Sequence, residues 1–225
     1  MIYMLDTADI NAIKKAVDLY PLAGVTTNPS IIAKENRPLK AILLDIREVI
    51  GKERMLHAQV MGKDAETMLK EAQALRAIDP DIIVKVPVTP QGIKAMKLIH
   101  AEGIRITATA ILTPQQALMA AMAGAEFLAP YVNRLDNICG DGTAVAAEMA
   151  QLIENYNLDA KVLGASFKNV QQVHQLALAG IQSVTIAPEV FDLLLVHPLT
   201  DSGVAGFVSD WEGVYGEGTN VLDIL

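Results

Sequence analysis

Short apolar runs alternate with amphipathic stretches along the whole chain. The runs have the length and the β-branched content of buried strands, and the stretches between them have helical periodicity. We predict eight strands, over residues 2–7, 24–28, 55–60, 82–88, 105–111, 127–133, 161–166 and 183–188. This alternation predicts one α/β domain over residues 1–225, a (β/α)8 TIM barrel. The alternative is an open doubly wound sheet, whose glycine-rich phosphate turn is not found after the first strand, in LDTADI.

Several predicted helices have polar starts and glycine ends. The strongest signal follows strand five, where Thr113 precedes Pro114 and Gln116 stands at the position that closes a capping box. The predicted N-cap and final glycine of three helices are Thr89 with Gly103, Thr113 with Gly124, and Asn169 with Gly180.

The segment from about residue 200 to 225 lies beyond the last strand. It contains the single tryptophan and ends in the apolar stretch VLDIL. We predict an extra helix and a tail that docks on a neighbouring subunit. A frayed or self-docked tail is the alternative.

A lysine in strand four, DIIVKVPV, directs attention to function. Side chains alternate between the two faces of a strand, so Ile83, Lys85 and Pro87 are predicted to face the barrel axis. Burial of an ammonium group without partners is costly. The same alternation places further residues inside the barrel: His57, Gln59, Arg105, Thr107, Thr109, Phe127, Ala129, Tyr131 and Asn133.

Polar residues gather at the carboxyl ends of the predicted strands, the rim where barrel enzymes build their sites. They are Asp6, Asn28, Gln59, Thr109, Tyr131 and Ser166. A desolvated lysine among such groups has a lowered pKa, and its neutral amine attacks carbonyl carbons to form a Schiff base. We therefore predict Lys85 as the nucleophile and Asp6 as the acid/base group. The alternatives for Lys85 are a lysine whose amine extends to solvent and a point charge that binds phosphate.

Composition and charge narrow the class of partner. The chain carries a formal net charge of −8, which disfavours nucleic acid and anionic membranes but not a small anionic ligand. A single cysteine, Cys139, excludes an intrachain disulfide, and we expect it to be an idle reduced thiol. The amino terminus does not resemble a signal peptide, and Thr113-Pro114 interrupts the uncharged residues 106–125. We expect a soluble, cytoplasmic protein.

Five motifs together resemble the transaldolase family of class I aldolases, and more closely its fructose-6-phosphate aldolase subfamily. They are LDTA (5–8), GVTTNPSII (24–32), VKVPVT (84–89), APYVNR (129–134) and ASFK (165–168). The resemblance implies a Schiff base on Lys85, with Asp6 and Asn28 on the hydroxyls of a dihydroxyacetone unit. It also implies that the phosphate is held by Arg134, Ser166 and Lys168.

The resemblance further implies that Gln59, Thr109 and Tyr131 hold the water that moves protons at the Schiff base. Transaldolases usually have glutamate and phenylalanine where this chain has Gln59 and Tyr131, so these residues favour the aldolase. The expected reaction is reversible cleavage of fructose 6-phosphate to dihydroxyacetone and glyceraldehyde 3-phosphate, without cofactor or metal. A transaldolase that uses erythrose 4-phosphate as acceptor is the alternative. His57 and Thr107 depart from the pattern and are expected to line the pocket.

The resemblance also implies a homo-oligomer, a decamer of two stacked pentamers that exchange terminal helices. Three other classes are weaker. A metal-dependent aldolase needs clustered ligands, whereas the four histidines are isolated. An isomerising phosphate-binding barrel would end a strand in glutamate, and a catalytically inactive barrel would not respond to Lys85→Ala.

Overall fold

Eight parallel strands close into a barrel in the computed structural model of the chain, which describes residues 1–225. The strands pair in sequence order, and the last pairs with the first. Their bounds, numbered β1 to β8, are Ile2–Asp6, Gly24–Thr26, Met55–Gln59, Ile82–Pro87, Ile106–Ile111, Phe127–Pro130, Lys161–Gly164 and Ser183–Ile186. The predicted TIM barrel is confirmed.

Helices connect the strands, as a parallel sheet requires. Two helices follow β2 and two follow β6, and single helices make the other connections. Their bounds, numbered α1 to α11, are Ile10–Leu19, Pro29–Lys34, Leu39–Ile50, Ala65–Ile78, Pro90–Ala101, Pro114–Met122, Val132–Asp136, Gly142–Asn155, Val170–Leu178, Pro188–Asp192 and Pro198–Tyr215. None of them combines the length and the apolar character needed to cross a membrane.

The predicted helix ends are confirmed. Thr113 and Gln116 form a reciprocal capping box at the start of α6. The side chains of Thr89 and Asn169 accept backbone N–H groups at the starts of α5 and α9. The glycine that follows each of these three helices has a positive φ, which a residue with a Cβ adopts at a cost: Gly103, Gly124 and Gly180.

Strand six ends earlier than predicted. It stops at Pro130, which has no N–H to donate to a neighbouring strand, and Asn133 lies on α7. The ladder between β5 and β6 also shifts register between Ala108 and Ile111, where Ala110 has a φ of 61°. The prediction that Asn133 lies in a strand and faces the barrel axis is therefore wrong.

Arg105 was also predicted to face inward, and this prediction is wrong. It precedes β5 and is exposed. Its guanidinium donates two hydrogen bonds to the carboxylate of Glu126, at 2.6 and 2.8 Å. These bonds raise the pKa of Arg105, because they favour its charged form.

The barrel interior is apolar below the rim. Met4, Ile83, Phe127 and Leu163 form a buried cluster with no more than 1% of any of them exposed. Ile83 shares a face of β4 with Lys85, so the strand alternation that placed Lys85 inside the barrel is correct. The packed layer forms a rigid floor for the polar groups above it.

Residues Asp192–Leu225 form a second compact unit, after the unit Met1–Phe191. It contains α11 and a short 3-10 helix over Val221–Asp223. The additional C-terminal helix is as predicted, and none of its residues is buried. Its exposed large apolar residues include Leu199, Val204, Phe207, Val208, Val214 and Tyr215.

Candidate active site at the carboxyl rim

The nine residues singled out from the sequence line one cavity of about 740 Å³. Each lies at the carboxyl end of a strand or in the segment that follows it, which is where parallel barrels bring their loops together. They are Asp6, Asn28, Gln59, Lys85, Thr109, Tyr131, Arg134, Ser166 and Lys168. The structure thus brings together residues spread over most of the chain. Their roles stay a prediction.

Lys85 is anchored in the wall of this cavity. Only 6% of it is exposed. Its Nζ atom donates a 2.7 Å hydrogen bond to the carbonyl oxygen of Thr27. Burial lowers the pKa of Lys85 below its ordinary value, and the charge of Asp6 opposes this shift. Because desolvation is the larger cause, the neutral, nucleophilic form of the amine is more populated at a given pH here than in an exposed lysine.

Asp6 is held by a chain of hydroxyl groups that crosses three strands. The Oγ1 atom of Thr26 lies 2.6 Å from the Oδ1 atom of Asp6 and 2.6 Å from the Oγ1 atom of Thr185. An ionised carboxylate only accepts, so the single hydroxyl proton of Thr26 goes to Asp6. Thr185 must then donate to Thr26. This direction orients the carboxylate.

Asn28 combines a structural role with an open donor. Its Oδ1 atom accepts a 3.0 Å hydrogen bond from the backbone N–H of Ile31 and so caps α2. The cap fixes the orientation of the carboxamide. The side-chain nitrogen is a donor and takes no part in that bond, so it can meet a ligand oxygen in the cavity.

Gln59 and Thr109 stand on β3 and β5, the strands on either side of Lys85, and Tyr131 directly follows β6. Gln59 pairs in register with Lys85, and Thr109 pairs with Pro87. The hydroxyls of Thr109 and Tyr131 lie 3.3 Å apart. Two hydroxyls and a carboxamide around one space provide the donors and acceptors that a water molecule needs.

The positive side of the cavity is formed by the segments after β6 and β7. The guanidinium carbon of Arg134 lies 4.4 Å from the ring centroid of Tyr131, a cation–π contact. Ser166 has a φ of 64°, which turns the chain sharply between the strand and Lys168. Two cations and a hydroxyl in this position suit a phosphate dianion.

His57 and Thr107 do not line the cavity, contrary to expectation. Both are completely buried, and the Nδ1 atom of His57 lies 2.8 Å from the hydroxyl of Thr107. The histidine ring packs on Phe127, with ring centroids 5.3 Å apart. Burial lowers the pKa of His57 well below its ordinary value, and the charges of Lys85 and Arg105 add to this effect. The two side chains contact each other inside the barrel instead of facing a ligand, and the Nε2 atom of His57 is buried without a hydrogen-bond partner.

Sequence reasoning missed Thr26 and Thr185. Thr26 lies on the same strand face as Asn28, which was noticed, because the two residues alternate in the sequence GVTTN, whereas no residue of strand eight was singled out. Strand alternation alone would have placed them inside the barrel, but their mutual contact depends on the closure between β8 and β1. No group of three or more His, Cys, Asp or Glu side chains is arranged to hold a metal ion.

Solved structures similar to this chain share its fold. One is titled "Native KDPGal structure", with a TM-score of 0.59 and 16% sequence identity over 83% of this chain and 81% of the other. Another is a mandelate oxidase mutant with a monooxide FMN adduct, with a TM-score of 0.58 and 13% identity over 84% of this chain and 64% of the other. At this identity the similarity concerns the barrel alone.

Sequence comparison is more specific. Proteins named "Probable transaldolase 2" from Listeria monocytogenes serovar 1/2a (strain ATCC BAA-679 / EGD-e) and Listeria innocua serovar 6a (strain ATCC BAA-680 / CLIP 11262) are each 40% identical to this chain. The match covers 94% of this chain and 96% of each relative. The profile described as "Transaldolase/Fructose-6-phosphate aldolase" matches residues 3–218. The protein is therefore an enzyme of the transaldolase/fructose-6-phosphate aldolase family.

Proposed function

We propose that this chain is a fructose-6-phosphate aldolase. It reversibly cleaves fructose 6-phosphate to dihydroxyacetone and glyceraldehyde 3-phosphate through a Schiff base on Lys85, without metal or cofactor. The observation that carries the proposal is the buried Lys85 amine, with its pKa lowered by desolvation, in the wall of a cavity that also contains Asp6.

The proposed reaction uses the amine in two stages. The neutral Nζ atom of Lys85 attacks the C2 carbonyl of the ketose, and the resulting carbinolamine takes up one proton and loses water, which leaves a protonated imine. Asp6 takes the proton of the C4 hydroxyl as the C3–C4 bond breaks, which releases the aldehyde. The electron pair of that bond moves into the imine and forms an enamine. Protonation at C3 and hydrolysis of the imine then release dihydroxyacetone and restore Lys85.

The other cavity residues supply binding and proton transfer. The free amide nitrogen of Asn28 donates to a hydroxyl of the dihydroxyacetone unit, since its oxygen already caps α2. The sugar phosphate is held by Arg134, Ser166 and Lys168, on the positive side of the cavity.

The choice of an aldolase over a transaldolase rests on Gln59 and Tyr131. A phenol 3.3 Å from the Thr109 hydroxyl supplies an additional proton donor for the water that hydrolyses the imine. Fast hydrolysis releases free dihydroxyacetone, whereas a transaldolase retains the enamine until an acceptor sugar arrives. Transaldolase activity is the second candidate, favoured by the names of the two Listeria relatives.

A coupled assay for glyceraldehyde 3-phosphate separates these activities. Fructose 6-phosphate is supplied as sole substrate, and the assay is repeated with erythrose 4-phosphate. We expect sustained turnover without the acceptor. Lys85→Arg is the inactive control, because a guanidinium does not form a Schiff base. Sustained turnover only with erythrose 4-phosphate would establish the transaldolase instead.

We also propose that residues 1–225 form one barrel domain whose terminal extension docks on a neighbouring subunit, in a decamer of two pentamers. Leu199, Phe207 and Val214 on α11 are each 75% exposed, and apolar residues at this spacing are suited to a protein interface. Light scattering of the full chain tests the proposal. A monomer mass would overturn it, and Phe207→Glu is expected to reduce the assembly.

A further inference from the structure

A buried glutamine links the two segments that carry the positive side of the cavity. Gln172 lies on α9, only 7% exposed, and does not line the cavity. Its Oε1 atom accepts a 2.8 Å hydrogen bond from the backbone N–H of Lys168. Its Nε2 atom donates a 2.6 Å bond to the Oδ2 atom of Asp136 and lies 3.2 Å from the Oδ1 atom of Asn133. The carboxamide thus uses both its acceptor and its donors.

Asp136 extends this link to the next helix. Its second oxygen, Oδ1, accepts a 2.8 Å hydrogen bond from the backbone N–H of Gly142, the first residue of α8. A Cβ atom at Gly142 would lie 2.4 Å from the carbonyl oxygen of Val132, so the close approach of α7 and α8 requires glycine there. Both oxygens of Asp136 are therefore occupied by donors.

The link bears directly on the candidate phosphate-binding groups. Arg134 lies on α7, between Asn133 and Asp136, whereas Lys168 belongs to the segment after β7. Both side chains are exposed, so their positions depend on the backbone beneath them. The backbone N–H of Asn133 also donates to the carbonyl oxygen of Ser166, at 3.2 Å, next to the link.

We propose that Gln172 is a positioning residue for phosphate recognition: it fixes the spacing between Arg134 and the Ser166–Lys168 segment, and it keeps the Asp136 carboxylate away from Arg134. This inference rests on the proposed function for the identity of the substrate. Without Gln172, the freed carboxylate oxygen of Asp136 would attract the guanidinium two residues away and compete with the phosphate.

The proposed role differs from a merely structural one in what it predicts. A hydrogen-bond link that only stabilises the barrel affects all substrates equally. A link that positions the phosphate groups affects phosphorylated substrates and leaves the Schiff-base chemistry intact. In the synthetic direction, glyceraldehyde 3-phosphate and glyceraldehyde are matched acceptors for dihydroxyacetone that differ only in the phosphate.

The first test compares Gln172→Leu with Gln171→Leu, an exposed neighbour on the same helix. For Gln172→Leu we expect the KM for glyceraldehyde 3-phosphate to rise on the order of tenfold, the effect of losing a hydrogen bond to a charged group. The KM for glyceraldehyde and the kcat with either acceptor should stay unchanged, and Gln171→Leu should behave as wild type. An equal rise in KM for both acceptors, or no rise, would overturn the inference.

A reciprocal exchange guards against a variant that fails to fold. Gln172→Glu alone places two carboxylates against each other and should raise the KM for the phosphorylated acceptor. Combining it with Asp136→Asn restores a donor and an acceptor across the link, while the Lys168 N–H keeps its acceptor. We expect the double variant to recover the wild-type KM. Failure of the second substitution to improve on the first would contradict the proposed link.

Two further measurements separate this inference from the proposed function. Borohydride reduction in the presence of dihydroxyacetone, followed by mass spectrometry, reports the Schiff base on Lys85 in the wild-type chain. Absence of that adduct would refute the proposed function alone. Binding of inorganic phosphate, measured by calorimetry, still tests the inference, because Gln172→Leu should weaken it and Gln171→Leu should not.

Discussion

The Nζ atom of Lys85 donates a 2.7 Å hydrogen bond to the carbonyl oxygen of Thr27. Thr27 is itself fixed, because its N–H and its hydroxyl both donate to the carbonyl oxygen of His57, each at 2.9 Å. One N–H of the lysine is thereby held by a rigid acceptor. The orientation of the amine is set before a substrate arrives, which reduces the entropic cost of the attack on a carbonyl.

Removal of the Asp6 charge is expected to shift the pH dependence of Schiff-base formation to lower pH. Burial lowers the pKa of Lys85, while the carboxylate of Asp6 opposes that shift by favouring the ammonium form. In Asp6→Asn only the lowering effect remains, so the neutral amine persists to lower pH. The measurement is the yield of the borohydride-trapped dihydroxyacetone adduct as a function of pH.

This experiment has a direct control. Lys85→Arg should give no adduct at any pH, which shows that the trapped site is Lys85. Asp6→Asn is also expected to lower kcat by about 10²- to 10⁴-fold, because it removes the proposed general acid/base group. A midpoint that moves to higher pH in Asp6→Asn would show that Asp6 does not act on Lys85 as described.

The fold and the rim residues at the strand ends follow from rules that operate within single strands, whereas Arg134 and Lys168 were expected only from the family resemblance. Alternation of side chains placed Ile83 and Lys85 on the inner face, and the carboxyl rim collected Asp6 and Tyr131. Helix ends were equally local, as the capping box of Thr113 shows. Such features depend on neighbouring residues, so the sequence is sufficient to predict them.

Relationships between strands could not be predicted in this way. The chain of hydroxyl groups from Thr185 to Asp6 exists because β8 pairs with β1 and closes the barrel. No local sequence pattern predicts the distances within this chain. His57 and Thr107 were assigned to the pocket because the alternation of side chains places them on the inner face of their strands. Their depth along the barrel axis was not predicted. The alternation along a strand determines which face a side chain occupies, whereas the stagger between the strands of the barrel determines its height along the barrel axis.

Thr185→Val is expected to lower kcat although Thr185 is separated from Asp6 by another residue. Valine matches threonine in shape but cannot donate, so the hydroxyl of Thr26 loses the bond that orients it towards the carboxylate. The expected loss is about fivefold in kcat, from a hydrogen bond worth about 1 kcal/mol. Steady-state kinetics with fructose 6-phosphate provides the measurement.

The matched control is Ser183→Ala, on the same strand. The Ser183 hydroxyl is also buried and donates to the carbonyl oxygen of Val162 at 2.8 Å, outside the cavity. We expect this variant to lose stability but to retain the wild-type kcat. Similar kcat losses in both variants would indicate a general effect of weakening β8.

Tyr131→Phe is expected to change the balance between the two candidate activities. The substitution removes the hydroxyl that lies 3.3 Å from Thr109, so hydrolysis of the imine slows. Turnover of fructose 6-phosphate alone should fall on the order of tenfold relative to transfer to erythrose 4-phosphate. The ratio of the two rates, measured on the same preparation, is the quantity to follow.

This variant includes an internal control. Phenylalanine keeps the aromatic ring beneath the Arg134 guanidinium, whose carbon lies 4.4 Å from the centroid of the Tyr131 ring in the wild-type chain. The KM for phosphorylated substrates should therefore change little. A rise in that KM without a change in the rate ratio would mean that Tyr131 acts through Arg134 and not through the water.

His57 is expected to make the protein less stable in acid. Its pKa in the folded state lies well below the ordinary 6.5, mainly because of burial, with Lys85 and Arg105 contributing positive charge. As the pH falls below 6.5, the unfolded chain binds a proton at this position and the folded chain does not. Stability is therefore complete above the unfolded pKa and is lost as the pH falls, by up to about 1.4 kcal/mol per pH unit from this group.

The double variant His57→Phe, Thr107→Leu tests this assignment, because it removes the histidine together with its hydrogen-bond partner and leaves no unpaired hydroxyl. Urea unfolding of both proteins at pH 7.5 and pH 5.5 gives four free energies of unfolding. Since the other titrating groups are shared, the wild type should lose more free energy than the variant between the two pH values. Equal losses would show that His57 is protonated in the folded barrel, or that the unfolded chain does not expose it.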